Sequence, residues 1–103
     1  MIGHANPSGV TVRRLLNLST AHLPPHLGTP GGLDALPGVV AYATEFGFLL
    51  WVPDDPDGSA QSMIDPVPEV VLAVQRFARG LGCDYVLFDT DAEQVDDLPT
   101  WDW

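Results

Sequence analysis

Asp89 and Asp91 close the apolar run Val86-Leu87-Phe88, with Thr90 between them. At the carboxyl end of a strand, two carboxylates in this spacing can hold a divalent cation, because hard cations take oxygen ligands. The plainer reading, a polar turn that ends a buried strand, is the favoured one. Asp89, Asp91 and Glu93 also imitate the first half of a calcium loop. Gln94 stands where that loop needs Gly and Thr100 where it needs Glu, so the match fails, as does the shorter Asp55-Pro56-Asp57-Gly58. His22 and His26 have the spacing that aligns two imidazoles on a helix, but Pro24 and Pro25 intervene and a third ligand is missing. A capping or surface role is expected for both. Ser19 and Thr20 beside His22 do not make a triad, whose members meet in space and not in sequence. Cys83 precedes an apolar run and is expected to be buried and inert. No catalytic residue, metal site or cofactor is assigned.

The charge balance is the most unusual total. Fourteen carboxylate side chains face four arginines, lysine is absent, and the formal charge is −10 over 103 residues. Nucleic acid and anionic membranes reward clustered Lys and Arg and are poor direct partners for such a chain. A basic protein surface is the favoured partner, because opposite potentials speed encounter and select against wrong partners. The acids crowd toward the end: Asp89, Asp91, Glu93, Asp96, Asp97 and Asp102 lie in a stretch with no basic residue, and Asp54, Asp55 and Asp57 form a smaller second group. Trp101 and Trp103 flank Asp102, and tryptophan is a preferred interface anchor. They can instead fold back on the domain; docking is expected for Trp101, while Trp103 stays open between the two.

These side chains need elements to position them. Residues 1–11 show no periodicity and predict a loose start. Residues 12–103 predict one α+β domain, of a size that supports a single core. Val12–Leu18 reads as a strand. Ser19 or Thr20 is placed to cap a short helix near Ala21, and the Pro- and Gly-broken stretch to Leu36 allows one or two helical turns. Val39–Thr44 and Phe48–Val52, joined by Glu45-Phe46-Gly47, read as a hairpin whose second strand is central. Residues 53–64 read as a polar loop. A helix follows, with Asp65 as its cap, Pro66, Pro68 and Glu69 in its first turn, Val70, Val74, Phe77, Ala78 and Leu81 as its apolar face, widened by Val71, and Gly80 and Gly82 as stops. The strand Asp84–Asp89 ends the pattern. The order is βαββαβ, the ferredoxin-like order, which predicts a mostly antiparallel four-stranded sheet with an acidic tail.

Two resemblances can be set beside these patterns. The string Val86–Asp91 looks like the first motif of haloacid-dehalogenase-type phosphatases, but that family's downstream lysine and acidic motifs have no room here. The strings Ser19–Leu23, Tyr42–Pro53, Cys83–Asp91 and Leu98–Trp103 resemble a group of short bacterial proteins known as a domain of unknown function, which tend to occur on plasmids, phages and other mobile elements. That resemblance brings no activity and no catalytic residue. It implies a context in which small acidic proteins inhibit host or competitor machinery.

The expected function is therefore non-enzymatic binding: an inhibitor of a nucleic-acid-handling defence machine, of anti-CRISPR or anti-restriction type, acting by carboxylates that mimic DNA. Asp89, Asp91, Glu93, Asp96 and Asp97 would form the row, with Asp54, Asp55 and Asp57 as a second patch and Trp101 and Trp103 as anchors. The alternatives are a toxin-neutralising immunity partner and a small metal-dependent hydrolase using Asp89 and Asp91. The expected location is the cytoplasm, since no apolar run is long enough to span a bilayer and one cysteine permits no internal disulfide. The expected state is a monomer or homodimer.

Overall fold

The computed structural model describes residues 11–61 and 67–103. Four strands form one sheet: β1 (Leu15–Ser19), β2 (Ala41–Thr44), β3 (Gly47–Trp51) and β4 (Tyr85–Asp89). Two α-helices, α1 (Pro56–Gln61) and α2 (Glu69–Gly80), and two single 3-10 turns, Thr20–His22 and Leu33–Ala35, complete the elements. The α+β class and the single core hold. Of the expected loose start only Thr11 is described, and Ile64, Asp65 and Pro66 fall outside the described residues.

The sheet corrects the ferredoxin-like expectation. Its order is β1-β4-β3-β2, with β4 antiparallel to β3 but parallel to β1, so the sheet is mixed. The reason lies in the connection from β3 to α2, of which the sequence presents residues 53–64 as a loop. The turn from α2 into β4 is short, with Gly82 at φ 73° and Gly82 and Cys83 N–H groups donating to the Arg79 and Ala78 carbonyls. Helix and strand therefore run in opposite directions. Because β3 and β4 are also antiparallel, α2 starts at the end of the sheet opposite to the one where β3 stops, and α1 lies between them in the chain. β4 is thereby reversed from the expected direction and sits in the centre, with β1 at the edge. The crossing from β1 to β2 carries the one or two helical turns expected, as the two 3-10 turns, but no α-helix, since Pro24, Pro25, Pro30, Gly31 and Gly32 interrupt it.

The hairpin is tighter than expected. Thr44 pairs with Gly47, so only Glu45 and Phe46 form the loop, and the Thr44 hydroxyl accepts the Phe46 and Gly47 N–H groups. Gly47 sits at φ 144°, and a side chain there would run into the Phe88 carbonyl of β4. The requirement for glycine is both conformational and steric.

One face of the sheet makes the core. Leu18, Phe48, Leu50, Val86 and Phe88 pack in one cluster with Val71, Val74 and Ala78 of α2 and with Leu23, Leu27 and Leu33 of the crossing. Of the expected stripe of α2, Val71, Val74 and Ala78 are buried, but the stripe is rotated: Gln75 is buried as well, Val70 and Phe77 are only partly buried, and Leu81 is 47% exposed. Gly80 lies inside the helix, and Pro68 occupies the cap position without a side-chain bond. The opposite face stays open. Register puts Leu15, Tyr85 and Trp51 in one row and Asn17, Leu87, Leu49 and Tyr42 in the next, and Leu15, Tyr42 and Trp51 are exposed. The strand Gly47–Trp51 is thus central in pairing, with Phe48 and Leu50 buried, Leu49 half-buried and Trp51 exposed. No helix among the described residues is long and apolar enough to cross a membrane.

Candidate functional site

The parallel pair β1 and β4 ends at Ser19 and Asp89, side by side. Beyond these ends the chain makes two structures that meet. After β1, Ser19 caps the 3-10 turn by accepting the Ala21 N–H at 3.1 Å. After β4, Asp89 Oδ1 accepts the Asp91 N–H at 2.9 Å, which closes the polar turn. That geometry favours the plainer account of Asp-Thr-Asp, because one carboxylate oxygen already serves the backbone.

Residues 90–103 contain no regular structure, yet they are tied down along residues 19–23. The Ser19 N–H donates to the Glu93 carbonyl at 3.1 Å and the Trp101 N–H to the Ala21 carbonyl at 2.9 Å. His22, fully buried, spans the gap: Nε2 accepts the Val95 N–H at 3.0 Å and Nδ1 meets the Pro99 carbonyl at 2.8 Å. Those two partners specify the neutral ring with its proton on Nδ1. The Trp103 indole N–H donates to the Leu23 carbonyl at 3.0 Å, and Leu98 is buried. A side chain at Gly28 would overlap the Trp103 ring, so the glycine makes the seat for that indole. Both tryptophans dock, although Trp103 remains 57% exposed.

The structure corrects the capping or surface role expected for His22, which neither caps nor faces solvent. It is the staple between the crossing and the tail. Its spacing from His26 carried no information, and no local pattern distinguishes a histidine whose partners lie over 70 residues away.

The carboxylates divide into two populations. Asp57 and Glu69 clasp Arg76, with Asp57 accepting from both Nε and Nη2, and this joins α1 to α2. The hydrogen bonds from Arg76 hold the Asp57 carboxyl below its ordinary value of 3.8 and push the guanidinium upward. Asp84 is buried and accepts from Arg79 at 3.2 Å, with Arg13 at 3.7 Å, while Arg79 also donates to the Val52 and Pro53 carbonyls. Asp55 Oδ1 accepts the Gly58 N–H, and Asp54 lies 3.8 Å from Arg79. Of the second acidic group, only Asp57 is closely ion-paired; Asp55 serves its own turn as Asp89 does, and Asp54 is fully exposed. In contrast, Asp89, Asp91, Glu93, Asp96, Asp97 and Asp102 have no ion-pair partner among the described residues, and all but the half-buried Asp89 are exposed. No group of three His, Cys, Asp or Glu among the described residues is placed to hold a metal ion.

Between the tail and the strand ends lies an open cleft of about 350 Å³, lined by Ser19, Thr20, Ala21, Thr90, Gln94, Trp101, Asp102 and Trp103. Thr20 is 5% exposed, and its hydroxyl oxygen has no hydrogen-bond partner among the described residues.

Residues 15–103 match the model of the C-terminal domain of a family of unknown function, DUF5983. The chain belongs to the DUF5983 family. The match begins with β1 and takes in all four strands, both helices and the tail. No curated protein and no solved structure matches the chain.

Proposed function

We propose that this DUF5983 domain is a non-enzymatic binding module whose recognition surface is the anchored acidic segment 89–102. The partner is a basic protein surface built to receive a phosphate backbone, such as the groove of a CRISPR or restriction complex, and the domain inhibits it by occupying that groove. One observation carries this reading: the segment's carboxylates have no cation among the described residues, whereas those of Asp57, Glu69 and Asp84 are paired. An exposed surface that leaves its charge uncompensated retains it for a partner. Anchoring matters equally. Duplex DNA carries about one charge per 1.7 Å of axis, and a mimic must hold its charges in place before binding, or ordering costs erode the affinity. The ties to residues 19–23 supply that support. A metal-dependent enzyme using Asp89 and Asp91 has less support, since Asp89 is occupied by its own turn.

The test is capture of partners from a bacterial lysate with the tagged domain at low and high salt. A basic nucleic-acid-binding protein that is released by salt or by added duplex DNA, and lost with Asp96→Lys/Asp97→Lys, supports the proposal. Capture indifferent to salt and to that charge reversal overturns it, and a single salt-tolerant partner points to an immunity-type complex instead.

A further inference from the structure

The cleft beside the acidic segment has its own chemistry. We infer that it is a socket for an arginine side chain of the basic partner, with the guanidinium held against Trp101 and Trp103 and facing Asp102. This rests on the proposed function and names the group on the partner that the site would take.

Three features of the cleft select a planar cation. Its walls include two indoles, and the Trp103 N–H is committed to the Leu23 carbonyl, so that ring is held in one position while much of it remains open to solvent. Indole faces attract cations, and a guanidinium stacks on them better than an ammonium does. Among the described residues the only charged side chain in the lining is that of Asp102, which is exposed and has no ion-pair partner there. A phosphate or carboxylate ligand would find no cation there and one repelling charge. Oxygen acceptors complete the set: the Gln94 amide, the Thr90 hydroxyl and Thr20, whose buried hydroxyl has no partner among the described residues. A guanidinium brings five N–H donors and no acceptor, and a site of several oxygens suits it. A buried polar atom without a partner is unusual enough in a folded domain to call for a ligand or water. The volume, about 350 Å³, is at the small end of ligand sites and is of the order of one long side chain.

The probe is the blocked tripeptide acetyl-Gly-Arg-Gly-amide, compared with its citrulline and lysine counterparts and titrated into ¹⁵N-labelled domain. Citrulline keeps the shape of arginine without the charge. The three tryptophan indole signals are assigned by single substitutions, and Trp51, on the open sheet face, is the internal control. The expected result is movement of the Trp101 and Trp103 signals with the arginine peptide and not of Trp51. The lysine peptide should bind about fivefold more weakly, the citrulline peptide not detectably, and Asp102→Asn should weaken the arginine peptide about fivefold. Equal binding of arginine and citrulline, shifts confined to Asp96 and Asp97, or no shift at all would overturn the socket.

The two proposals can fail separately. A basic protein captured in a salt-dependent way, with affinity unchanged by Trp103→Leu, would leave the acidic surface standing and remove the socket. Arginine binding in the cleft with no basic protein captured at low salt would do the reverse.

Discussion

Replacing His22 by Ala tests whether the tail is part of the folded domain. The imidazole is fully buried, and both its nitrogens bond to the backbone of the tail. Removing it leaves the Val95 N–H and the Pro99 carbonyl without partners and opens a space the size of the ring. Each orphaned group costs about 1–3 kcal/mol. Water entering from the cleft side recovers part of this, so the expected loss is about 3 kcal/mol. Against a total stability of about 5–15 kcal/mol this is a large fraction. In urea, with a slope of about 1–3 kcal/mol/M, the midpoint should fall by about 1–3 M. The assay is equilibrium unfolding followed by tryptophan fluorescence and by far-ultraviolet circular dichroism. If the tail detaches first, fluorescence will shift before the circular dichroism does. His22→Asn puts an amide nitrogen near the position of Nδ1 and should keep the Pro99 bond. His22→Gln puts an oxygen near Nε2 and should keep the Val95 bond, so each should lose about half as much as Ala. A His22→Ala domain within about 0.5 kcal/mol of the parent, the usual range for a surface substitution, with an unchanged indole environment, would refute the staple.

Three further outcomes follow from the same contacts. Gly28→Val should expel the Trp103 ring from its seat, seen as a red-shifted emission and faster exchange of the Trp103 indole proton, while the far-ultraviolet spectrum stays the same. Arg79→Met should cost about 3 kcal/mol in urea unfolding, because the buried Asp84 keeps only the Arg14 backbone N–H at 3.4 Å and the more distant Arg13 guanidinium among the described residues, and the Val52 and Pro53 carbonyls lose their Arg79 donor. Asp57→Asn should lower stability at neutral pH and close the gap with the parent as acid is added. The Asp57 pKa is depressed in the folded state, so its contribution is present above the ordinary value of 3.8 and disappears as pH falls through the lower, folded one. Unfolding midpoints measured from pH 7 down to pH 2 check this, and a constant gap would exclude the Asp57–Arg76 tie as its source.

Elements defined by local signals were legible in the sequence. The helix around Val74 and Ala78, the hairpin at Glu45-Phe46 and the strand ending at Asp89 are each encoded within a dozen residues by periodicity, turn residues and breakers. So was the concentration of carboxylates toward the end of the chain, since charge is a property of composition. The acidic row needed no structure to be noticed, and the docking of Trp101 followed from the cost of leaving a tryptophan in water.

What only the tertiary structure decided depends on the path of the chain. Whether β4 runs parallel or antiparallel to β1 turns on the directions of β3, α2 and β4, and no local preference reports how many times a chain reverses. The rotation of the α2 face is similar: Gln75 is buried and Leu81 exposed because of what lies opposite them. His22, Gly28 and Thr20 acquire their roles from partners 70 or more residues away, at Val95, Pro99 and Trp103, or from the lack of one. The split between engaged and free carboxylates has the same origin. Sequence counts fourteen acids and four arginines, but the fold alone brings Arg76 to Asp57 and Arg79 to Asp84, and leaves the tail its charge.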